Sequence, residues 1–226
     1  MTLSLTNISG GYGDTLIHRD LSLTLNPAQV LAIVGRNGTG KTTLARLITG
    51  ELPLTAGQIT LNGQDIGTSP AWHRARSGIV SMPQTGMVFD SLSVGDTLAL
   101  TGASASDIAA ICRHFPRLGE RLTQIAGSMS GGERKILGFA RAMLFPGSVI
   151  VLDEPSEGVQ PENIARMQAL IADQSGAGKS VLLLEQNVTM VEALAQRVVA
   201  LDSHGISFTL EQAQISRSAI LKALKV

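Results

Sequence analysis

The sequence has a single cysteine and no excess of either charge. Cys112 stands alone among 226 residues, which excludes an intramolecular disulfide framework and fits a reducing compartment. Eighteen lysines and arginines balance eighteen aspartates and glutamates, so the formal net charge is zero at pH 7. A protein whose main partner is nucleic acid usually carries a basic surplus, so we expect no nucleic-acid partner here.

The sequence also lacks long hydrophobic runs and clustered histidines. Hydrophobic residues make up 44% of the chain, but no run approaches the ~18 apolar residues that a membrane-spanning helix needs. Residues 1–7 alternate between apolar and polar without a charged start, so we expect a strand there rather than a signal peptide. The histidines have no metal-ligand spacing, and we expect surface or packing roles for His18, His73, His114 and His204.

The most informative segment is glycine-rich. Residues 35–43 read G-x-x-x-x-G-K-T-T and directly follow the apolar run Val30–Val34. Glycines let the backbone wrap around phosphate oxygens, and the start of the following helix favours the same negative charge. In this pattern the lysine reaches the β- and γ-phosphates and the next hydroxyl binds Mg²⁺. A glycine-rich surface turn is the alternative. The sequence predicts a nucleotide-phosphate site at Gly35, Asn37, Gly38, Thr39, Gly40, Lys41, Thr42 and Thr43.

Three short apolar runs end at polar residues. Residues 30–34 precede the phosphate loop, residues 149–152 precede Asp153 and Glu154, and residues 181–184 precede Glu185 and Gln186. Continuous runs of this kind are typical of strands that are buried on both faces of a parallel sheet. Ligands bind beyond the carboxyl ends of such strands, so we expect the three polar ends to meet at one site.

The remaining sequence predicts a second sheet and a helical insertion. Alternating leucines at 21, 23 and 25 and the hairpin signal Asn62-Gly63 indicate antiparallel strands. We expect Ser106 to cap a helix that Pro116 ends, and one amphipathic helix over 211–226. The predicted fold is α/β, in a single domain over 1–226. It comprises a P-loop NTPase core with a mostly parallel sheet and an N-terminal antiparallel β subdomain (1–90 and 146–226), and an inserted α-helical subdomain (about 91–145).

The acidic pair Asp153 and Glu154 has two interpretations, a turn or part of a catalytic site. An acidic pair after a strand is more often a turn, but downstream of a phosphate loop it indicates chemistry. The first carboxylate can hold Mg²⁺ through water, and the second can orient or polarise the attacking water.

The segment Gly178-Lys179-Ser180 is similar to the end of a second phosphate loop. Asp173 stands where such a loop has its first glycine, so we expect a turn before a strand.

The segment Ser130-Gly131-Gly132-Glu133 precedes a helix-compatible run at residues 134–144. S-x-x-E is a capping box, which alone explains the serine and the glutamate. It does not explain two glycines in the first turn, where they weaken a helix. We interpret them as permitting close approach of an anion to the helix N-terminus.

Residues 129–133, Met-Ser-Gly-Gly-Glu, resemble the L-S-G-G-Q signature of ATP-binding-cassette (ABC) ATPases. The resemblance implies that Gln84 corresponds to a glutamine that contacts Mg²⁺ and the attacking water, and Tyr12 to an aromatic that stacks on adenine. Gln186 stands where most members have a histidine that contacts the γ-phosphate. The implied catalytic residues are Lys41, Glu154 and Gln186, and the implied metal-site residues are Thr42, Gln84 and Asp153.

The resemblance also implies partners. Residues 115–121, Gln160 and Glu185-Gln186-Asn187 are similar to the hydrophobic-amino-acid uptake group, which includes branched-chain amino acid and urea importers. We therefore expect ATP, Mg²⁺ and separate transmembrane permease subunits, at the cytoplasmic face of the inner membrane. A second ATPase subunit, another copy or a paralogue, is expected to pair head-to-tail and to place Ser130, Gly131, Gly132 and Glu133 over the γ-phosphate.

Other functions remain open at this point. A non-transport ABC ATPase in DNA repair or cluster assembly is the alternative within the family, and a small-molecule kinase is the alternative outside it. The segment at 130–133 disfavours the kinase. We also expect Met87, Val88 and Phe89 to help form a groove for a membrane subunit, although the core of the helical subdomain would suit three apolar residues equally well.

Overall fold

The computed structural model describes residues 1–85 and 88–224. The strands are β1 (Leu3–Tyr12), β2 (Thr15–Leu25), β3 (Val30–Val34), β4 (Ala56–Leu61), β5 (Gln64–Asp65), β6 (Ile79–Met82), β7 (Val149–Asp153), β8 (Ser180–Leu184), β9 (Arg197–Asp202) and β10 (Gly205–Glu211). The helices are α1 (Lys41–Thr49), α2 (Ala71–Arg76), α3 (Val94–Ala99), α4 (Ala105–His114), α5 (Pro116–Gly119), α6 (Gly131–Leu144), α7 (Pro161–Gly176), α8 (Val188–Leu194) and α9 (Arg217–Ala223).

The strands form two sheets. The larger has the order β10-β9-β3-β8-β7-β6, in which all neighbours are parallel except β9 and β10. The smaller is antiparallel, with the order β2-β1-β4-β5. Because β3, β8 and β7 are adjacent and entirely buried, their carboxyl ends meet at one edge. The predicted α/β fold class is confirmed.

Apolar packing follows this layering. One cluster lies between the smaller sheet, α1 and the larger sheet, and includes Leu5, Leu47 and Val151. Another packs α7 and the helical segment, which comprises α3 to α6, on the larger sheet and includes Leu137, Phe139 and the β7 residues Ile150 and Leu152. The sheet is thus covered on both faces, as its continuous apolar strands predicted. No helix in the described part of the chain is long and apolar enough to cross a bilayer.

The predicted start of one helix is wrong, whereas its predicted end is correct. Ser104, not Ser106, caps α4, because Ser104 has extended backbone angles and its hydroxyl accepts the Asp107 N–H in a capping box. The predicted stop before Pro116 is correct, since α4 ends at His114. The same proline then begins α5, because its fixed φ suits the first turn of a helix.

The predicted helix over 211–226 is also wrong at its start. Glu211 belongs to β10, where it pairs with Arg197 of β9. A short 3-10 turn at Gln212–Gln214 follows, and Ser216 caps the short helix α9. Strand pairing at the sheet edge therefore takes residues that helical periodicity alone had assigned to a helix. Lys225 and Val226 lie outside the described residues.

Candidate functional site

The glycine-rich segment forms a loop between β3 and α1. Gly38 and Gly40 have φ values of 85° and 93°, which only glycine adopts readily. Lys41 is 4% exposed, and its ammonium donates to the carbonyl oxygens of Gly35 at 2.9 Å and Arg36 at 3.1 Å. A buried cation therefore lies within the curve of the loop. Among the other predicted loop residues, Thr39 donates through Oγ1 to the Arg36 carbonyl at 3.0 Å.

Glu154 collects nitrogen donors from three segments. Its Oε1 accepts Gln186 Nε2 at 2.8 Å and lies 3.4 Å from Lys41 Nζ, while its Oε2 accepts Gln84 Nε2 at 2.9 Å. Gln186 Nε2 also donates to Asn37 Oδ1 at 2.6 Å. The backbone of Glu154 has a φ of 48°, an uncommon left-handed conformation that occurs more often at functional sites. The structure thus brings Lys41, Gln84, Glu154, Gln186 and Asn37 together.

Asp153 is buried at the end of β7. Burial raises the pKa of its carboxyl, while the Thr42 hydroxyl and the positive charges of Lys41 and Lys135 oppose that rise. Its Oδ1 has no hydrogen-bond partner among the described residues. Thr42, Gln84 and Asp153 line one small cavity. An orphaned carboxylate oxygen beside a hydroxyl and an amide fits Mg²⁺, which keeps several waters and takes few protein ligands.

The sequence analysis named Glu185 as a polar strand end but assigned no role to its carboxylate. It is buried at the end of β8, and its two oxygens accept backbone N–H groups from Ser156 at 2.9 Å, Gln186 at 2.8 Å and Asn187 at 2.9 Å. It therefore joins the loop after β7 to the loop after β8. The signal was present in the sequence, since a glutamate directly after a four-residue apolar run is costly to bury without partners.

The predicted signature residues form the start of α6. Ser130 and Glu133 make the capping box, and Arg121 donates to Glu133 Oε1 at 2.8 Å. The hydrogen bonds from Ser130 hold the pKa of the Glu133 carboxyl below its usual value. Ser130, Gly132 and Glu133 line a different cavity from the one at Thr42 and Asp153, so the described residues of one chain place the two halves of the predicted site in separate cavities.

The two glycines of the signature segment have different structural explanations. A Cβ on Gly132 would approach the Gly158 carbonyl oxygen at 2.8 Å, so packing within the chain already requires glycine there. A Cβ on Gly131 would meet no atom of the described residues within 4 Å. Anion approach thus remains an explanation for Gly131, whereas Gly132 is explained by its contact with Gly158.

Two other predicted site residues, Tyr12 and Thr43, lie near the loop, and His18 packs against it. Tyr12 is exposed at the end of β1, and its hydroxyl accepts Arg46 NH1 at 3.1 Å. Thr43 is buried on α1. His18 packs against the loop as well, because its Nε2 lies 2.9 Å from the Gly40 carbonyl oxygen, and burial lowers its pKa. The expected packing role of His18 agrees with this position.

Comparisons with known proteins point to one family. A family model described as ABC transporter matches residues 18–157. BraG of Pseudomonas aeruginosa, a high-affinity branched-chain amino acid transport ATP-binding protein, is 31% identical over 207 residues, which cover 89% of each chain. LptB of Escherichia coli K12, a lipopolysaccharide export system ATP-binding protein, is 33% identical over 207 residues, covering 87% of this chain and 85% of LptB.

Solved structures agree on the fold. An ATP-binding subunit of an ABC transporter superposes with a TM-score of 0.87 over all of both chains, at 22% identity. A nucleotide-free ATP-binding cassette of an ABC transporter gives a TM-score of 0.84 over 98% of this chain and 96% of that one, also at 22% identity. Because the family model covers more than half of the sequence, and two relatives exceed 30% identity over most of their length, this chain belongs to the ABC transporter family as an ATP-binding, ATP-hydrolysing subunit.

Proposed function

We propose that this subunit hydrolyses ATP at Lys41, Glu154 and Gln186 and thereby drives import of branched-chain amino acids, urea or related small amides. The observation that carries the site is the convergence of Lys41, Gln84 and Gln186 on the Glu154 carboxylate. Three segments that are far apart in sequence contribute these side chains. A purely structural turn at Asp153 and Glu154 would not explain why three nitrogen donors surround one carboxylate.

Phosphate binding follows from the loop. Carbonyl oxygens of Gly35 and Arg36 are weaker acceptors for an ammonium than phosphate oxygens, because charge-assisted hydrogen bonds are stronger. Lys41 would therefore exchange these partners for the β- and γ-phosphates. The backbone N–H groups of residues 38–43 and the start of α1 add positive potential at the same place, and Tyr12 offers an exposed ring for adenine.

Metal and water have separate residues in this proposal. Thr42, Asp153 and Gln84 would hold Mg²⁺, which when bound neutralises phosphate charge during transfer. Glu154 would orient the attacking water and accept its proton, and its contact with Lys41 places the carboxylate next to the position proposed for the γ-phosphate. Gln186 would donate its amide N–H to a γ-phosphate oxygen, because an amide can donate a hydrogen bond but cannot titrate near neutral pH.

The signature belongs to the second half of the site. Ser130, Gly132 and Glu133 line a separate cavity from Thr42 and Asp153, so we propose that the signature segment, including Gly131, acts on the nucleotide of a second ATPase subunit in a head-to-tail dimer. The N-terminus of α6 would then complete charge stabilisation only when the dimer is closed. The second subunit is another copy of this chain or a paralogue.

Docking to permease subunits is proposed at the loop after β6. Phe89 is 57% exposed, whereas Val88 packs partly against the core of the helical segment. Met87, the third residue of the predicted groove, lies outside the described residues. Contiguous exposed apolar patches tend to mark interfaces, and Phe89 would contribute an exposed ring to such a patch. The permeases would hold the subunit at the cytoplasmic face of the inner membrane.

The direction of transport has two candidates. BraG is named for branched-chain amino acid transport and LptB for lipopolysaccharide export, at comparable identity. The Glu185-Gln186-Asn187 segment and Gln160 favour the importer group. A transport assay with proteoliposomes that contain the subunit and its cognate permeases distinguishes import from export. We expect ATP-dependent uptake of leucine or urea with a binding protein. Lipopolysaccharide-stimulated ATP hydrolysis without such uptake would instead favour the exporter.

The site itself is tested by Lys41→Ala. We expect loss of MgATP binding or hydrolysis, because the Lys41 ammonium would bind the phosphates. We expect an intact fold, because the hydrogen bonds of Lys41 are made to carbonyls of its own loop and not to the packed core. Lys179→Ala is the matched control, since Gly178 lies in the turn between α7 and β8 with a φ of 95°, and Ser180 begins a strand rather than the helix that follows a phosphate loop. Wild-type ATP turnover in Lys41→Ala would remove the phosphate-site assignment.

A further inference from the structure

A buried lysine of α6 contacts the site and has no role in the proposed function. Lys135 is 5% exposed, and its ammonium lies 3.5 Å from the Gln84 carbonyl oxygen and 3.5 Å from Glu157 Oε2. A buried ammonium is costly unless it has partners. The cost of placing a cation here therefore indicates that these two contacts matter.

The two partners of Lys135 also bind each other. Gln84 Nε2 donates to Glu157 Oε2 at 3.2 Å as well as to Glu154 Oε2 at 2.9 Å. Glu157 therefore accepts a hydrogen bond from Gln84 and forms an ion pair with Lys135, and Gln84 is contacted at its main-chain carbonyl and at its side-chain amide. These contacts favour the orientation in which the Gln84 amide meets Glu154.

Lys135 lies on the same helix as the signature segment, so its contacts connect that segment to Gln84 and Glu157. Ser130 caps the same helix, and Lys135 follows in its second turn. A rigid helix that shifts at its N-terminus carries Lys135 with it, and so moves Gln84 and Glu157. The neighbouring Arg134 points elsewhere, towards the Asp90 carboxylate at 3.8 Å.

We propose that Lys135 is a positioning residue for ATP hydrolysis, which links the signature end of α6 to Gln84 through Glu157. The inference rests on the proposed function, because only there does Gln84 belong to the hydrolytic site. Lys135 acts through Gln84 on Glu154 and contacts neither nucleotide nor water in this proposal. Its loss should therefore slow the chemical step and leave nucleotide binding intact.

Steady-state ATP hydrolysis by Lys135→Met tests the link, because methionine keeps the apolar stem and removes the charge. We expect kcat to fall about ten-fold with KM for ATP unchanged, as a positioning defect predicts. Arg134→Gln is the matched control, since it removes a charge from the adjacent residue, and should keep the wild-type kcat. Thermal unfolding midpoints of both variants report on the fold.

A double-mutant cycle with Glu157→Gln separates positioning from packing. If both residues act through Gln84, the double variant should be no slower than Lys135→Met alone. Wild-type kcat in folded Lys135→Met, or multiplied losses in the double variant, would overturn the proposal. Should Lys135→Met fail to fold, Glu157→Gln on its exposed side chain decides: reduced kcat supports the link and unchanged kcat removes it. The Lys41→Ala variant keeps these results distinct from failure of the site itself.

Discussion

Gln186 shows how much a single residue contributes at the end of β8. A sheet-end amide could bond only to nearby backbone, but the structure places its Nε2 at Asn37 and Glu154. Both partners belong to the predicted phosphate and water sites. The amide is therefore positioned between the phosphate loop and the carboxylate, where a γ-phosphate oxygen could replace Asn37 as acceptor.

We predict that Gln186→Ala slows ATP turnover roughly ten- to a thousand-fold, because one hydrogen bond to a charged oxygen is lost in the transition state. Gln186→His should be tolerated, since an imidazole N–H can donate to the same oxygen. Gln64→Ala, at an exposed position of β5, is the control for glutamine removal. Steady-state rates for the three variants decide the matter, and unchanged turnover in Gln186→Ala would eliminate the γ-phosphate role.

At the scale of elements, the helix that follows the phosphate loop is fixed at its far end by one arginine. Arg74 of α2 is 1% exposed, and its guanidinium donates to the last carbonyls of α1, at Leu47 (2.7 Å) and Ile48 (2.9 Å). It also donates to Ser69 and Gly67 at 2.9 and 2.7 Å. A cation at a helix C-terminus satisfies carbonyls without an intrahelical partner and complements the helix dipole.

We predict that Arg74→Met lowers the free energy of unfolding by about 3 kcal/mol or more, because two buried and two partly buried carbonyls lose their donor. Arg76→Met is the matched control on the same helix: its guanidinium lies over the Trp72 ring at 5.3 Å in an exposed position, so the loss should stay within about 1 kcal/mol. Urea unfolding measures both. Equal stability of the two variants would show that α1 does not depend on this arginine.

The sequence predicted strands better than helix ends. Continuous apolar runs located β3, β7 and β8 within a residue, because burial on both faces leaves a simple signal. Ser104 and Ser106 are both plausible caps, and only backbone angles and the Asp107 contact distinguish them. The contacts of Arg74 span up to 27 positions, and such tertiary contacts leave no periodic pattern to read.

At the scale of the whole molecule, the sequence predicted that three strand ends converge but not which side chains contact one another there. The phosphate loop, the acidic pair and Gln186 were predictable because strand ends in a parallel sheet converge. Glu185 and Lys135 were not assigned, since their roles depend on loops that fold onto them. Gly132 was attributed to an anion, whereas its contact with the Gly158 carbonyl depends on how α6 lies against the loop before α7.

The separation of the two cavities has a consequence for assembly. A site completed by a second subunit should close when ATP is bound and open after hydrolysis. We predict that Glu154→Gln binds ATP, slows turnover at least a hundred-fold and accumulates as a closed dimer, because the amide keeps the shape but cannot accept a proton from water. Size-exclusion chromatography with and without MgATP measures the shift to dimer.

Two controls make the dimer prediction specific. The double variant Lys41→Ala/Glu154→Gln should stay monomeric with MgATP, since it lacks the cation that binds the phosphates. If the natural partner is a paralogue, the shift should appear only when both chains are mixed, because each contributes one signature helix. Rapid turnover by Glu154→Gln would show that another group handles the water. A dimer that forms equally without ATP would contradict the prediction, because the contact between the signature end of α6 and the other subunit would then not require bound nucleotide.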